Sequence, residues 1–449
     1  MSRKTNGAQK RKTKKKAAPR GKARGGSVRK GKGEEAAKPT VTKALESFVR
    51  ELDALADTLP LTMLLVTASI RSASEKLNAF LGQRCQKLSG GSFAIPPDEY
   101  NEFANLRRHL ERNRRALQII PRSFFTSLVS HYDAFTGSLL RSIFYLKPEV
   151  LNTSEHHITF KDLTTFGSLD DARNAVVEKD VEDIVRQSHA DQFKWMETKL
   201  AVPLTKDLPS WPRFIEVTER RNLFVHCNGV VSAQYVTVCQ RHGVDCSSVK
   251  LGSELHVSDK YFTQAYETIL EVGIKLAHVL WRRLRPDELD DADGSLNNLC
   301  LDLIRDEKYS VARTLLDFAA GYKTFGSETA RKVLTLNRAQ VYKWSGQDRR
   351  AKEILKSEDW RAAAEKFQLG AAVLDDDFKA AATLMRHIGG NSSPNKSDYR
   401  EWPIFKVFRG TSEFAQVYQE VFGEPFGKVT AREIADKKET GGAKDQVVQ

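Results

Sequence analysis

The hydrophobic positions of this chain recur at helical spacing over most of its length, and sustained period-two alternation is rare. From Val41 onward, Leu45, Phe48, Val49, Leu52 and Leu55 fall at three- and four-residue steps, which predicts an amphipathic helix capped by Thr42. A second apolar helix is expected over 61–81 and a third over 98–120, separated by Gly90–Gly91 and Pro96–Pro97. Pro121 is expected to end the third, since proline lacks the N–H a helix interior needs. Phe124, Leu128, Tyr132, Phe135, Leu139, Leu140, Ile143 and Phe144 then form a wide apolar stripe over 123–146. Residues 156–160 read as a short strand, and His156–His157 as a surface pair with no carboxylate-rich helix nearby. Helical patterns resume over 169–200 with an interruption at Ser188–His189. Another runs from the prolines at 209–212 to about His226, where Asn228–Gly229 stops it. Ser258 caps a long helix over 261–284, and Arg285–Pro286 with the acidic run 287–293 reads as a linker.

Beyond Leu296 the pattern becomes helix pairs joined by tight turns: 299–304 with 309–318, 328–344 with 348–355, and 359–374 with 378–388. Each second helix carries an early alanine (Ala312, Ala351, Ala381), a small residue that lets helices stack closely. The pairs resemble tetratricopeptide-type repeats. An ordinary helical bundle is the plainer reading. The expected architecture is all-α, in five parts. These are a disordered basic tail (1–40), an N-terminal helical segment (41–120), a helical bundle (121–286), helical repeats (297–427) and a flexible C-terminal tail (428–449).

Charge changes the picture only at the N-terminus. Of 71 Lys+Arg and 58 Asp+Glu, 16 and 2 lie within the first 43 residues, so the remainder is one charge negative. Such a tail repels itself, stays unfolded, and attracts phosphate without any structure. No apolar run approaches the ~18 residues of a membrane helix, residues 58–70 being the best stretch. Five scattered cysteines indicate no disulfide framework, and a cytoplasmic location is expected. Cys227, Cys239, His242 and Cys246 are zinc ligands by type, but no second Cys-x-x-Cys accompanies them; buried thiols are the expectation, with no metal and no cofactor.

The candidate chemistry lies in Glu219-Arg220-Arg221-Asn222-Leu223-Phe224-Val225-His226-Cys227-Asn228-Gly229. Asn222 and His226 are i,i+4 neighbours on one helix face, and Arg221 lies about 140° round from His226. An imidazole moves protons near neutral pH, and a guanidinium neutralises phosphate charge through parallel hydrogen bonds. Together they suffice for RNA cleavage without metal. On spacing alone, a core-facing histidine with surface arginines is the better account.

An Arg, a polar residue, three variable residues and a His near the end of a bundle helix resembles the HEPN superfamily of RNases and nucleotide-binding proteins. The segments SHADQFKWMETKL (188–200) and LPSWPRFIEVTERRNLFVHCNGVVSAQYV (208–236) resemble its defence and toxin branch. The resemblance spans about 121–286 and implies a four-helix bundle in which Arg221 and His226 are catalytic and Asn222 supports the histidine. It implies an acidic residue as well, with Glu216 and Glu219 as candidates. It also implies a homodimer with two motifs facing one RNA cleft. Arg107, Arg108 and Arg220 are candidates for RNA contact, although a solvated helix face is the better account of the arginines at 107–115, since Glu111 interrupts them. The expectation is a metal-independent endoribonuclease, acting as a toxin or antiviral effector whose repeats dock a protein trigger or antitoxin. The alternative is a non-catalytic adaptor for nucleotide, RNA or protein. Deleting residues 1–40 is expected to leave thermal stability unchanged within about 1 kcal/mol while weakening salt-sensitive RNA binding; a large fall in Tm contradicts it.

Overall fold

The computed structural model describes residues 40–154 and 156–427, and these are almost wholly helical. The C-terminal tail and, Thr40 apart, the basic N-terminal tail lie outside the described residues. Helix α1 (Val41–Arg84) is capped by Thr40, whose hydroxyl accepts the Lys43 N–H at 3.3 Å, rather than by Thr42. It runs on through Pro60 as one helix instead of two. A short antiparallel hairpin, β1 (Gln86–Lys87) with β2 (Phe93–Ala94), turns the chain at Gly90–Gly91 into α2 (Tyr100–Leu146).

Pro121 does not end α2, and the expected boundary between 41–120 and 121–286 falls inside this helix. The two long helices explain why. They lie antiparallel in constant register: Phe80 stacks on Phe103, Asn113 donates to Ser69 at 3.1 Å, and His131 pairs with Glu51 at 2.7 Å. In that register Pro60 and Pro121 lie level, so each missing helical hydrogen bond falls where a partner helix supports the backbone. The prolines also mark a change of environment. Below them both helices bury a continuous apolar face; above them only Ala73, Phe80 and Leu110 are fully buried. The upper halves form a two-helix arm about 36 Å long at 1.5 Å per residue.

The lower halves belong to the bundle. A short α3 (Phe160–Leu163) precedes α4 (Leu169–Val185), α5 (His189–Leu200), α6 (Trp211–His226), α7 (Ala233–Arg241) and α8 (Asp259–Leu284). Helix α7 was not legible in the sequence. No strand forms at 156–160: that stretch is coil leading into α3, and His156 pairs with Asp183 of α4 at 2.8 Å. Helices α2, α6 and α8 pack with α1 around Phe48, Phe125, Tyr132, Phe135, Phe214 and Ile269. Phe48 stacks on Phe135 with ring centres 4.4 Å apart, and a Cβ on Gly273 would overlap the Phe48 ring. Only glycine lets α8 approach α1 this closely.

The acidic run read as a linker is helical, lying in a turn at 286–288 and in α9 (Leu289–Arg305). Asp293 is fully buried, pairs with Arg282 of α8, and accepts the Gly326 N–H at 2.8 Å. An acidic residue with a buried partner is a weld, not a hinge. Helix α9 pairs with α10 (Tyr309–Ala320), α11 (Glu328–Trp344) with α12 (Asp348–Lys356), and α13 (Glu365–Leu374) with α14 (Phe378–Ile388). Ala312, Ala351 and Ala381 are buried. The core of the bundle continues without a break into α9, α10 and α11, through Leu296, Leu315 and Val341. A separate aromatic cluster of Tyr399, Phe405, Phe408, Phe414 and Tyr418 closes the C-terminal end, where α15 (Lys396–Glu401) and α16 (Ser412–Phe422) lie.

His278 of α8 lies wholly buried in the main core with neither ring nitrogen hydrogen-bonded among the described residues. Burial, reinforced by Arg282, pushes its imidazole down to about 3. The folded chain therefore refuses a proton that the unfolded chain accepts once pH falls below the ordinary imidazole value of about 6.5. Stability from this group is present above that value and declines below it, by about 2 kcal/mol at pH 5. His278→Leu is expected to lose this part of the acid sensitivity in denaturant unfolding at pH 7.5 and 5.0. An unchanged pH dependence would contradict the buried neutral imidazole.

Candidate functional site

Helix α6 carries the motif and is fixed at both ends. Pro212 occupies its first turn, where a missing N–H costs nothing, and the preceding Ser210 donates to Glu271 of α8 at 2.9 Å. At the other end the N–H groups of Cys227 and Gly229 both reach the Leu223 carbonyl, at 2.8 and 2.9 Å. Asn228 and Gly229 take left-handed φ values of 50° and 82°; a Cβ at Gly229 would press on the Phe224 ring and the Leu255 carbonyl. The chain beyond is pinned by Leu255 N–H to Gly229 O at 2.9 Å. Arg122 of α2 clamps this helix end, pairing with Glu254, bonding to Asn228 at 3.4 Å, and lying over Phe224.

Within this frame the structure separates the two adjacent arginines. Arg221 turns to α2, where its Nη2 donates to Asp133 Oδ2 at 2.6 Å. The other oxygen of Asp133 meets His189 Nε2 of α5 at 2.8 Å, so one carboxylate holds two cation-forming groups from two further helices. His189 is almost fully buried, with Tyr132 and Phe214 against its ring. Nε of Arg221 is buried without a partner among the described residues. The other motif member, His226, stands exposed at the last position of α6 with no hydrogen-bond partner among the described residues.

Three of the candidate residues make contacts of their own within the fold. Arg220 is not free for RNA: its Nε donates to Glu216 at 2.7 Å, an Nη donates to the His256 carbonyl at 3.3 Å, and its guanidinium lies 3.8 Å from the centre of the Tyr261 ring. The Glu216 oxygens also accept the Tyr235 and Tyr261 hydroxyls at 2.7 Å each, inside the protein. Asn222 supports Glu219, donating at 3.4 Å, and makes no bond to His226; the carboxylate one turn back lies on the same side. Arg107 and Arg108 lie far out on the arm, where Arg107 pairs with Glu111 at 2.9 Å and Arg108 bonds to Asn105 at 2.6 Å.

The acidic partner of the motif is Asp133, which sequence reasoning missed. It is the only carboxylate between Pro121 and Leu146, and that isolation within an apolar helix was its signal. Glu219 opens instead into a cleft of about 440 Å³ among α5, α6 and α7, lined also by His189, Lys194, Trp211, Gln234 and Arg241. Burial raises the proton affinity of Glu219 against the pull of His189. Cys239 and His242 part company: the thiol, pushed up to about 12 by burial, joins an apolar cluster with Leu223 and Tyr235, while His242 accepts from Trp211 at 3.4 Å. Among the described residues no three His, Cys, Asp or Glu side chains are grouped to hold a metal.

Comparison with known proteins adds nothing to this geometry: no family model, curated protein or solved structure matches the chain.

Asp133→Asn is expected to cost about 1–3 kcal/mol in denaturant unfolding, because two largely buried groups lose their shared charged acceptor. Glu178→Gln, which breaks the half-exposed pair between Arg141 of α2 and Glu178 of α4, is expected to cost about 0–1 kcal/mol. Equal costs would deny Asp133 its anchoring role.

Proposed function

We propose that the chain is a metal-independent endoribonuclease of HEPN type in which Arg221 and His226 act on the scissile phosphate and Asp133 positions Arg221. The observation that carries this reading is the contrast within one helix: a guanidinium held by a carboxylate, and an exposed imidazole with no partner at the helix end. A catalytic arginine needs a fixed direction, and a proton-transfer group needs access. In the proposed step the 2′-oxygen attacks phosphorus and loses its proton to an imidazole. The bond to the 5′-oxygen breaks, and that oxygen takes up a proton. Arg221 neutralises the extra charge on the five-coordinate phosphorus, and the products are a 2′,3′-cyclic phosphate and a 5′-hydroxyl.

One imidazole serves poorly as base and acid in the same step, so two copies of the motif facing one cleft form the proposed active unit. Binding of the RNA backbone falls to the arm. There Arg112, Arg114 and Arg115 are exposed without partners among the described residues, beside the locally paired Arg107 and Arg108. The helix pairs of α9–α14, read as tetratricopeptide-like, are proposed to dock a protein trigger or antitoxin.

Purified protein in chelator, incubated with single-stranded and structured RNA, is expected to yield cyclic-phosphate ends. Arg221→Ala and His226→Ala are each expected to lose about 10²–10³-fold or more in single-turnover rate. Cleavage by His226→Ala at the wild-type rate defeats the assignment, and RNA left intact by the wild type favours the adaptor.

A further inference from the structure

A run of exposed apolar side chains lies on the arm, just beyond Pro60. Leu61, Leu64 and Leu65 of α1 are 62%, 68% and 73% exposed, and with the exposed Ala68 they make one stripe at helical spacing. Contrary to the expectation that no apolar run approaches membrane length, α1 is long and apolar enough to cross a bilayer by length and composition: its 18-residue apolar window has mean hydropathy 1.3 and is only 6% buried. Leucines exposed this fully in a row are costly in water and mark a contact surface.

Charge identifies the occupant. Asp57 and Arg71 each lie seven residues from Leu64, one on either side, so both share its face two turns away. Both are exposed, and neither makes an ion pair within the chain among the described residues. A stripe that runs from a negative end through leucines to a positive end is self-complementary only when two copies lie antiparallel. With a two-fold axis at Leu64, Asp57 of one copy comes level with Arg71 of the other, at both ends of the contact. Parallel pairing would set like charges together. A lipid bilayer is disfavoured by the other helix of the arm. In the α1/α2 register, Arg112, Arg114 and Arg115 lie level with residues 67–70, so the hairpin cannot enter hydrocarbon without burying them.

We propose that a second copy of this chain docks on the Leu61–Leu64–Leu65 stripe of α1, antiparallel and paired at its ends by Asp57 and Arg71. This contact is separate from the nuclease reading. Arg122, which clamps the end of α6 beside His226, lies level with Pro60 at the foot of the stripe.

The test is sedimentation equilibrium of the full chain, with circular dichroism as the check on folding. Wild type is expected to be dimeric at micromolar concentration. Leu64→Glu and Leu61→Gln/Leu65→Gln are expected to raise the dimer dissociation constant at least about tenfold with helicity intact. Asp57→Arg and Arg71→Asp are each expected to weaken the dimer about two- to fivefold, and the double swap to restore it. Arg221→Ala/His226→Ala is expected to remain a dimer, so loss of cleavage and loss of the contact are told apart. A monomeric wild type, a dimer indifferent to Leu64→Glu, or a double swap weaker than both single variants overturns the proposal. Flotation of a monomeric wild type with phosphatidylcholine–phosphatidylglycerol vesicles, lost in Leu64→Glu, overturns it in favour of lipid.

Discussion

One carboxylate determines how the candidate site is built. Asp133 sits midway along an apolar helix, and a charge there must be matched by partners or neutralised. It is matched twice, by Arg221 of α6 and His189 of α5. The shared carboxylate ties the three helices together, and it fixes the direction of the Arg221 guanidinium while leaving its side chain partly exposed. The neighbouring Arg220, about 100° further round the helix, is drawn by the same logic into the Glu216–Tyr235–Tyr261 network on the other side. Two adjacent arginines of identical chemistry thus acquire different work from the acids that face them.

A second constraint is the long antiparallel pair α1/α2. Its constant register carries a packed face over the bundle half and an exposed one over the arm half, with the level prolines at the changeover. The core end is reinforced by Asp53, which takes the Tyr266 hydroxyl and the Lys308 ammonium, at 2.8 Å for the latter, and so ties α1 to α8 and to the start of α10. The same continuity extends toward the C-terminus through Arg282 and Asp293. The helix pairs are thus joined through α9 and α10 to α8, which packs against the motif helix.

Most helices of this chain were legible because they are written locally, in apolar spacing, the Ser258 cap and Asn228–Gly229 as a stop, whereas α7 and the Thr40 cap were not. That Arg221 and His226 share the last turns of one helix was legible too, because they lie five residues apart. What the sequence misplaced was every feature that depends on a distant partner. Pro60 and Pro121 read as helix ends, yet each is carried through by the helix beside it. The run at 287–293 reads as a solvated linker until Arg282 supplies a buried cation for Asp293. Glu216, Glu219 and Asp133 are alike as carboxylates, and only packing determined that the first closes a tyrosine network, the second opens on a cleft, and the third holds the arginine. By itself the sequence determined periodicity, caps and the motif, since these act over a few residues. The tertiary structure alone decided which charge meets which, because a buried ion takes the partner that the fold brings within about 3 Å, however far away it lies in the chain.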